Sequence, residues 1–169
     1  MPVIQAQKED VPQLNVLVNS AYRGETSKKG WTTEANLLDG IRIDEKTLTG
    51  YFDSPNIIIL KNVDDNGVIT GCVYLEVQSP KLYVGMFSVS PYVQAQGIGR
   101  ALLEAAEAYA RQLNCHTLTM TVISTRLELI SWYERRGYHA TGEIRPFHHD
   151  KQFGIPKAHI ELIVMEKTL

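Results

Sequence analysis

An Asn66-Gly67 pair set between two apolar runs commits the middle of this 169-residue chain to a β-hairpin. Asn and Gly take positive φ most readily, and a two-residue turn between antiparallel strands demands it. Residues 57–60 form the apolar run before the pair. After it, Ile69, Gly71, Val73, Leu75 and Val77 share one face, while Thr70, Cys72, Tyr74 and Glu76 share the other, the period of a strand. Ser79 and Pro80 turn the chain into a third segment over residues 82–90, which Pro91 ends. The pattern predicts an antiparallel meander.

Helical periodicity flanks it on both sides. Residues 3–6 can form a short first strand, and Asp10 with Gln13 three residues on has capping-box spacing. Leu14, Leu17, Val18 and Ala21 then recur at helical intervals. Residues 23–56 are the least regular; Trp31, Thr32, Thr33 and Glu34 can start a helix that Gly40 stops, and residues 44–51 a shorter one. Beyond the meander, Ile98, Ala101, Leu102, Ala105, Tyr109 and Leu113 share a helical face, with Arg100–Glu104 and Glu107–Arg111 as i,i+4 pairs. A strand over 116–123, a helix capped by Ser124 or Thr125 and ended by Gly137, and strands near 138–144 and 158–166 follow. The order predicts a mixed α/β domain. No repeat, low-complexity stretch or linker divides the chain, so the expectation is one domain over residues 1–169.

Composition narrows the function. A hydrophobic fraction of 44% and a charged fraction of 21% belong to a globular chain, and a net charge of -2 argues against a general nucleic-acid binder. Cys72 and Cys115 are too few for a disulfide scaffold and lack metal-ligand spacing, so they read as small buried hydrophobes. With no membrane-length apolar run and no signal-peptide core, the expected partners exclude a membrane and the expected compartment is the cytoplasm.

Chemistry concentrates in residues 89–100, where a strand ends, a glycine loop turns and a helix begins at once. Unsatisfied N–H groups and the helix dipole make such a start an anion site. Gly97 and Gly99 lack the Cβ that would hold a pyrophosphate off the backbone, and Arg100 can add a charge-assisted hydrogen bond. A G-x-G after a strand is also compatible with a tight turn alone. The dinucleotide fingerprint fails at Leu102, where its third glycine would stand, and no Gly-Lys-Ser/Thr follows for a P-loop.

Gln94, Ala95, Gln96, Gly97, Ile98 and Gly99 match the Q/R-x-x-G-x-G/A signature, and here the chain resembles the GNAT superfamily of N-acetyltransferases. The preceding Met86, Phe87, Ser88 and Val89 look like that family's cofactor-lining strand. Residues 132–138, with Tyr133, Gly137 and Tyr138, look like its Y-x-x-x-G-F/Y segment. The three matches stand in the family's order with the right elements between them, and the resemblance covers roughly residues 57–145. The resemblance implies a GNAT-like mixed α/β sheet with an antiparallel meander, splayed central strands and flanking helices. It implies acetyl-CoA as co-substrate and no metal. Phe87, Ser88 and Val89 would face the pantetheine arm, residues 94–100 would wrap the pyrophosphate, and Tyr133 would lie near the thioester sulfur. Where the family often has an Asn seven residues before the tyrosine, this chain has Arg126, and no family role carries over to it.

Glu76, on the less apolar face of its strand, is the best-placed carboxylate for a general base, with a solvated strand carboxylate as the alternative. His148, His149 and Asp150 read as a loop near the substrate mouth, because adjacent histidines diverge and no further ligand is suitably spaced. Trp31 and its polar neighbours read either as packing or as a substrate-side wall. The expected reaction is direct attack of an amine on the thioester, with Glu76 or a water held by it as base and Tyr133 as acid. A non-catalytic acyl-CoA-binding sensor is the alternative from another class. The acceptor is a small-molecule or peptide amine, and the assembly a monomer or homodimer.

Overall fold

The computed structural model describes residues 3–22, 38–39, 42–93, 96–146, 155–156 and 160–169. Strands β1 (Val3–Gln5), β3 (Ile57–Val63), β4 (Ile69–Gln78), β5 (Lys81–Val89), β6 (Thr117–Ile123), β7 (His139–Pro146) and β9 (Glu161–Thr168) form a seven-stranded sheet. Its order is β1-β3-β4-β5-β6-β9-β7, antiparallel throughout except where β5 meets β6. Strands β2 (Leu38–Asp39) and β8 (Ile155–Pro156) pair apart from it, an element with too little periodicity to read from sequence.

The expected mixed sheet with its meander is present. The turn at Asn66 and Gly67 is a three-residue loop rather than a two-residue one. Asp64 Oδ1 accepts the N–H groups of Asn66 and Val68 at 2.9 Å each, and Gly67 takes φ 79° to close the loop. The aspartate side chain captures both amides and so fixes the longer turn.

Two apolar layers cover the sheet. On one face α3 (Ile98–Gln112) and α4 (Leu127–Glu134) enclose Val73, Leu75, Leu82, Val84, Leu118, Met120, Tyr133 and Met165. On the other, α1 (Val11–Tyr22) and α2 (Glu45–Phe52) enclose Ile59, Cys72, Tyr74 and Met86. The alternation of β4 therefore divides its side chains between the layers, save that Ile69 joins the second, next to a register shift at Val63. In α3 the buried stripe is Ile98, Leu102, Leu103, Ala106 and Ala110, rotated from the expected face. Small alanines let the helix lie close to the sheet, and Leu113 falls beyond the helix end, exposed.

Helix ends depart from the sequence reading for identifiable reasons. Asp10 does not cap α1 with Gln13; it closes a 3-10 turn over Lys8–Asp10 by accepting the Gln7 N–H (2.8 Å) and pairs with Lys61 of β3 (2.8 Å). Asp44 does cap α2, accepting the Thr47 N–H at 2.7 Å. Neither Ser124 nor Thr125 caps α4, whose N-cap is Arg126 with no side-chain bond to the helix. Glu107 pairs with Lys167 (2.5 Å) across to β9 instead of with Arg111. The expected helix from Trp31 to Gly40 lies outside the described residues.

Cys72 and Cys115 are both buried and free. Burial pushes the Cys72 thiol up to about 12, so the reactive thiolate is scarce at neutral pH and appears only as pH rises toward that value. Thiol labelling at pH 8 should modify neither cysteine in the native protein and both after denaturation; rapid native labelling of Cys72 would contradict this packing.

Candidate active site

A wedge opens in the middle of the sheet. β5 and β6 pair only through Lys81 with Thr117, Leu82 with Leu118 and Tyr83 with Thr119. Beyond these, β5 continues along β4 as far as Val89, and β6 along β9 as far as Ile123, so each keeps one outer neighbour. The facing edges from Val84 and Met120 onward have no ladder between them. Free strand edges carry unpaired N–H and C=O groups and are suited to an extended ligand.

A β-bulge shapes β5 within this wedge. Cys72 is opposite Ser88 and Tyr74 opposite Gly85, so Met86 and Phe87 together face Val73. Met86 takes φ 47°, uncommon for a residue with a side chain. The extra residue reverses the alternation: Val84 belongs to the α3 layer, Met86 to the α1 layer, and Phe87 packs against the α3 layer again. Three side chains secure the bulge. The Ser88 hydroxyl donates to the Met86 carbonyl at 3.1 Å, the Cys72 thiol approaches the same oxygen at 3.9 Å, and the Tyr22 hydroxyl donates to the Phe87 carbonyl at 2.6 Å. Alternating hydrophobicity predicts the strand but not this break, because the bulge leaves no mark in a run of apolar residues.

The end of β5 leads into the glycine loop. Gln94 and Ala95 lie outside the described residues; Gln96 and Gly97 are exposed. Gly97, at φ 77°, is the N-cap of α3, and its carbonyl accepts the Ala101 N–H at 3.0 Å. A Cβ on Gly97 would meet no protein atom within 4 Å and would project into open space at the helix start. Gly99 differs: a Cβ there would come within 3.1 Å of Phe87 and 3.4 Å of Trp132. Its missing side chain seats those rings at the foot of α3. Arg100 turns along the helix to Glu104 at 2.9 Å.

Beside this helix lies a cleft of about 470 Å³ lined by Arg100, Glu104, Glu107, Arg135, Arg136 and Lys167. Neither Arg135 nor Arg136 forms an ion pair among the described residues. Arg136 lies flat on Trp132, 3.6 Å from the ring centroid, and donates to its carbonyl at 2.9 Å. Partial burial and the charges of Arg135 and Arg100 pull its pKa down. A positive cleft next to the glycine loop was missed in sequence, because its cations come from α3, the turn that follows α4, and β9.

Tyr133 reaches the same region from α4. Its ring packs against Phe87 (6.1 Å between centroids), Trp132 (5.4 Å) and Tyr138 (5.8 Å). Burial raises its pKa well above the ordinary 10.0; the phenols of Tyr22, Tyr138 and Tyr83 raise it further, and the positive charge of Arg126 opposes them. Arg126 is itself only 5% exposed. Tyr22 belongs to α1 on the opposite face of the sheet, so the wedge is where the two faces communicate.

Glu76 lies on β4 opposite Tyr83 and Ile57. The Tyr74 hydroxyl donates to its Oε1, and Gln78 Nε2 approaches Oε2 at 3.5 Å. Burial first, then the bond to Glu76, pushes the Tyr74 phenol up, so it stays a donor. Tyr74 stacks edge-on with Tyr51 (4.9 Å) and Tyr83 (6.2 Å). The Tyr83 ring folds along β5 into the space a Gly85 side chain would fill, 2.8 Å from where its Cβ would be. Glu76 is three residues along β4 from Val73, about 10 Å at the rise of a strand, so it is set back from the bulge. Tyr22, Tyr83 and Arg42 carried no motif and are additions from the structure. His148, His149, Asp150 and Trp31 lie outside the described residues; among the described residues no cluster of potential metal ligands occurs, and no helix is long and apolar enough to cross a membrane.

Known proteins share this architecture. The ribosomal-protein-S18-alanine N-acetyltransferase of Escherichia coli superposes with a TM-score of 0.74 at 17% identity, over 99% of this chain and 92% of that one. The yncA protein of Salmonella typhimurium, solved with its cofactor acetyl-CoA, gives 0.72 at 20% identity over 99% and 93%. In sequence, a mycothiol acetyltransferase of Rhodococcus erythropolis is 25% identical over 138 residues, 77% of this chain and 43% of that protein. The chain spans 43%, 55% and 40% of the length of three of the curated relatives it matches. The model of the acetyltransferase (GNAT) family matches residues 14–138, an interval that takes in the meander, the bulge, the glycine loop and Tyr133, and the chain belongs to that family.

Proposed function

We propose that residues 1–169 work as one N-acetyltransferase domain that moves the acetyl group of acetyl-CoA onto an amine by direct attack. The observation that carries this reading is the wedge between β5 and β6, with the Met86 bulge along one edge and the start of α3 at its open end. Family membership and the acetyl-CoA in a structural neighbour support it.

The residues fit such a co-substrate. A pantetheine arm has amides that need main-chain partners, and Phe87, Ser88 and Val89 lie on β5 past the point where its ladder to β6 ends. A pyrophosphate needs dense N–H donors, and residues 94–100 with the first turn of α3 supply them beside a positive cleft. When bound, acetyl-CoA supplies an activated thioester carbonyl. Main-chain N–H groups at the bulge stabilise the charge that develops on that oxygen. Tyr133 holds a proton for the leaving sulfur, and its burial keeps the phenol protonated. Glu76, set back along β4, takes the amine proton through a water.

Tyr133→Phe removes the proton and keeps the ring, so kcat should fall by about 10²-fold with acetyl-CoA affinity little changed. Because the folded-state pKa is raised, the donor form persists as pH rises, and kcat should show no loss attributable to Tyr133 below pH 10.0. Unaltered turnover with chemistry rate-limiting would assign the proton elsewhere.

Acetyl-CoA at a hundred times its dissociation constant should stabilise the fold by about 2.7 kcal/mol. Gly97→Val should remove most of that shift, since a branched side chain strains φ 77° and projects into the open space at the helix start. Equal shifts in both proteins would reject the pyrophosphate assignment. Glu76→Gln should lower the rate by about 10²-fold at neutral pH and recover in part at alkaline pH, where more amine is free. A profile superimposable on the parent would exclude Glu76 as base.

A further inference from the structure

Arg42 is held in place from two directions. Asn19 of α1 accepts the N–H groups of Arg42 (2.6 Å) and Ile43 (3.2 Å) on its Oδ1 and donates to the Ile43 carbonyl at 3.0 Å. Ile43 is buried at 1% exposure, so the backbone at this point is anchored to the helix. The side chain then lies over the ring of Tyr22, 5.2 Å from its centroid, and the Tyr22 hydroxyl is bonded to the Phe87 carbonyl. Tyr22 thus links the guanidinium, through its ring, to the Phe87 carbonyl at the bulge. Its charge reaches the buried Cys72 thiol beneath the bulge and the Tyr51 phenol beside Glu76.

Stacking uses the face of a guanidinium and leaves its five in-plane N–H donors available. Among the described residues no carboxylate pairs with Arg42, although it is partly buried. Among the described residues Tyr51 senses two carboxylates on this face, and both are engaged elsewhere: Glu76 by Tyr74 and Gln78, and Asp44 by the Thr47 N–H at the start of α2. A fixed cation and a fixed anion, both sensed by Tyr51, therefore stand apart on the α1 face of the wedge.

We infer that Arg42 is a specificity-determining residue that binds the carboxylate of the acceptor, so that the acceptor is a small amino acid rather than a plain amine or polyamine. The inference rests on the proposed acetyl transfer and names its substrate class. A polyamine would bring positive charge against Arg42, whereas an amino acid places its carboxylate there and its amine toward the bulge.

Matched acceptors test it: L-amino acids, their primary amides and the corresponding decarboxylated amines, each with acetyl-CoA. The parent protein should prefer the acids, and R42A should shrink the acid-over-amide ratio of kcat/KM by about 10- to 100-fold, the scale of a charge-assisted contact. R42K should restore part of the ratio, and R42E should reverse it in favour of amides and amines; thermal melts establish that each variant folds. Decarboxylated amines used as well as the acids by the parent, or a ratio unmoved in R42A, overturns the inference. So does a parent protein that neither acetylates nor is thermally stabilised by any amino acid in the panel with coenzyme A present. A retained thermal shift with acetyl-CoA in that last case would leave the cofactor reading standing and reject only the acceptor class.

Discussion

Three residue pairs join β5 to β6, and the place where that pairing stops determines what the rest of the molecule can do. Past Tyr83 and Thr119 each strand keeps only its outer neighbour, β4 or β9, and the two part from one another. Their inner edges then carry main-chain groups that would be costly to bury without partners. A wedge that water or an extended ligand can fill is the arrangement that leaves them satisfied. The bulge belongs to the same event. One extra residue opposite Val73 turns β5, and the positive φ of Met86 is tolerated because Ser88, Tyr22 and the Cys72 thiol anchor the two carbonyls that it displaces.

With the strands parted, the sheet no longer insulates its faces. Tyr133 belongs to the layer under α3 and α4, Tyr22 to α1, and the Tyr22 phenol still acts on Tyr133 electrostatically. Phe87 is the joint between them, its ring against Tyr133 and its carbonyl under the Tyr22 hydroxyl. Gly99 belongs to this joint as well, since a Cβ there would crowd the Phe87 ring at 3.1 Å and touch Trp132 at 3.4 Å. A glycine that reads as a phosphate-loop residue thus also has a packing role that sequence spacing does not reveal.

The meander, α1, α3 and the closing strands were legible because each rests on local periodicity: Val73 and Leu75 against Cys72 and Tyr74, or Leu14, Leu17 and Val18 along a helix. The glycine loop was legible for a related reason, since left-handed φ and a helix start impose residue types on adjacent positions. What sequence did not disclose is set by distant partners. Asp10 turned from its expected cap because Lys61 of another strand competes for it. The buried stripe of α3 moved to Ala106 and Ala110 because the sheet, not the helix, decides which face fits closest. Arg126 entered the interior at a position that reads as a loop.

The same distinction separates the two halves of the proposed site. Recognition of a pyrophosphate and a pantetheine arm by main-chain groups needs particular backbone shapes, which glycines and strand runs encode nearby in sequence. Recognition of an acceptor falls to side chains brought together from afar: Tyr22 and Arg42 from around α1, Tyr51 from α2, Tyr74 and Glu76 from β4, Tyr83 from β5. Any one of these is an ordinary surface or core residue when read alone. Their joint placement depends on Asn19 holding the Arg42–Ile43 backbone and on Gly85 making room for the Tyr83 ring. Side chains fixed in this way can change without disturbing the wedge, so one backbone frame can serve many acceptors, each selected by the charges that face it.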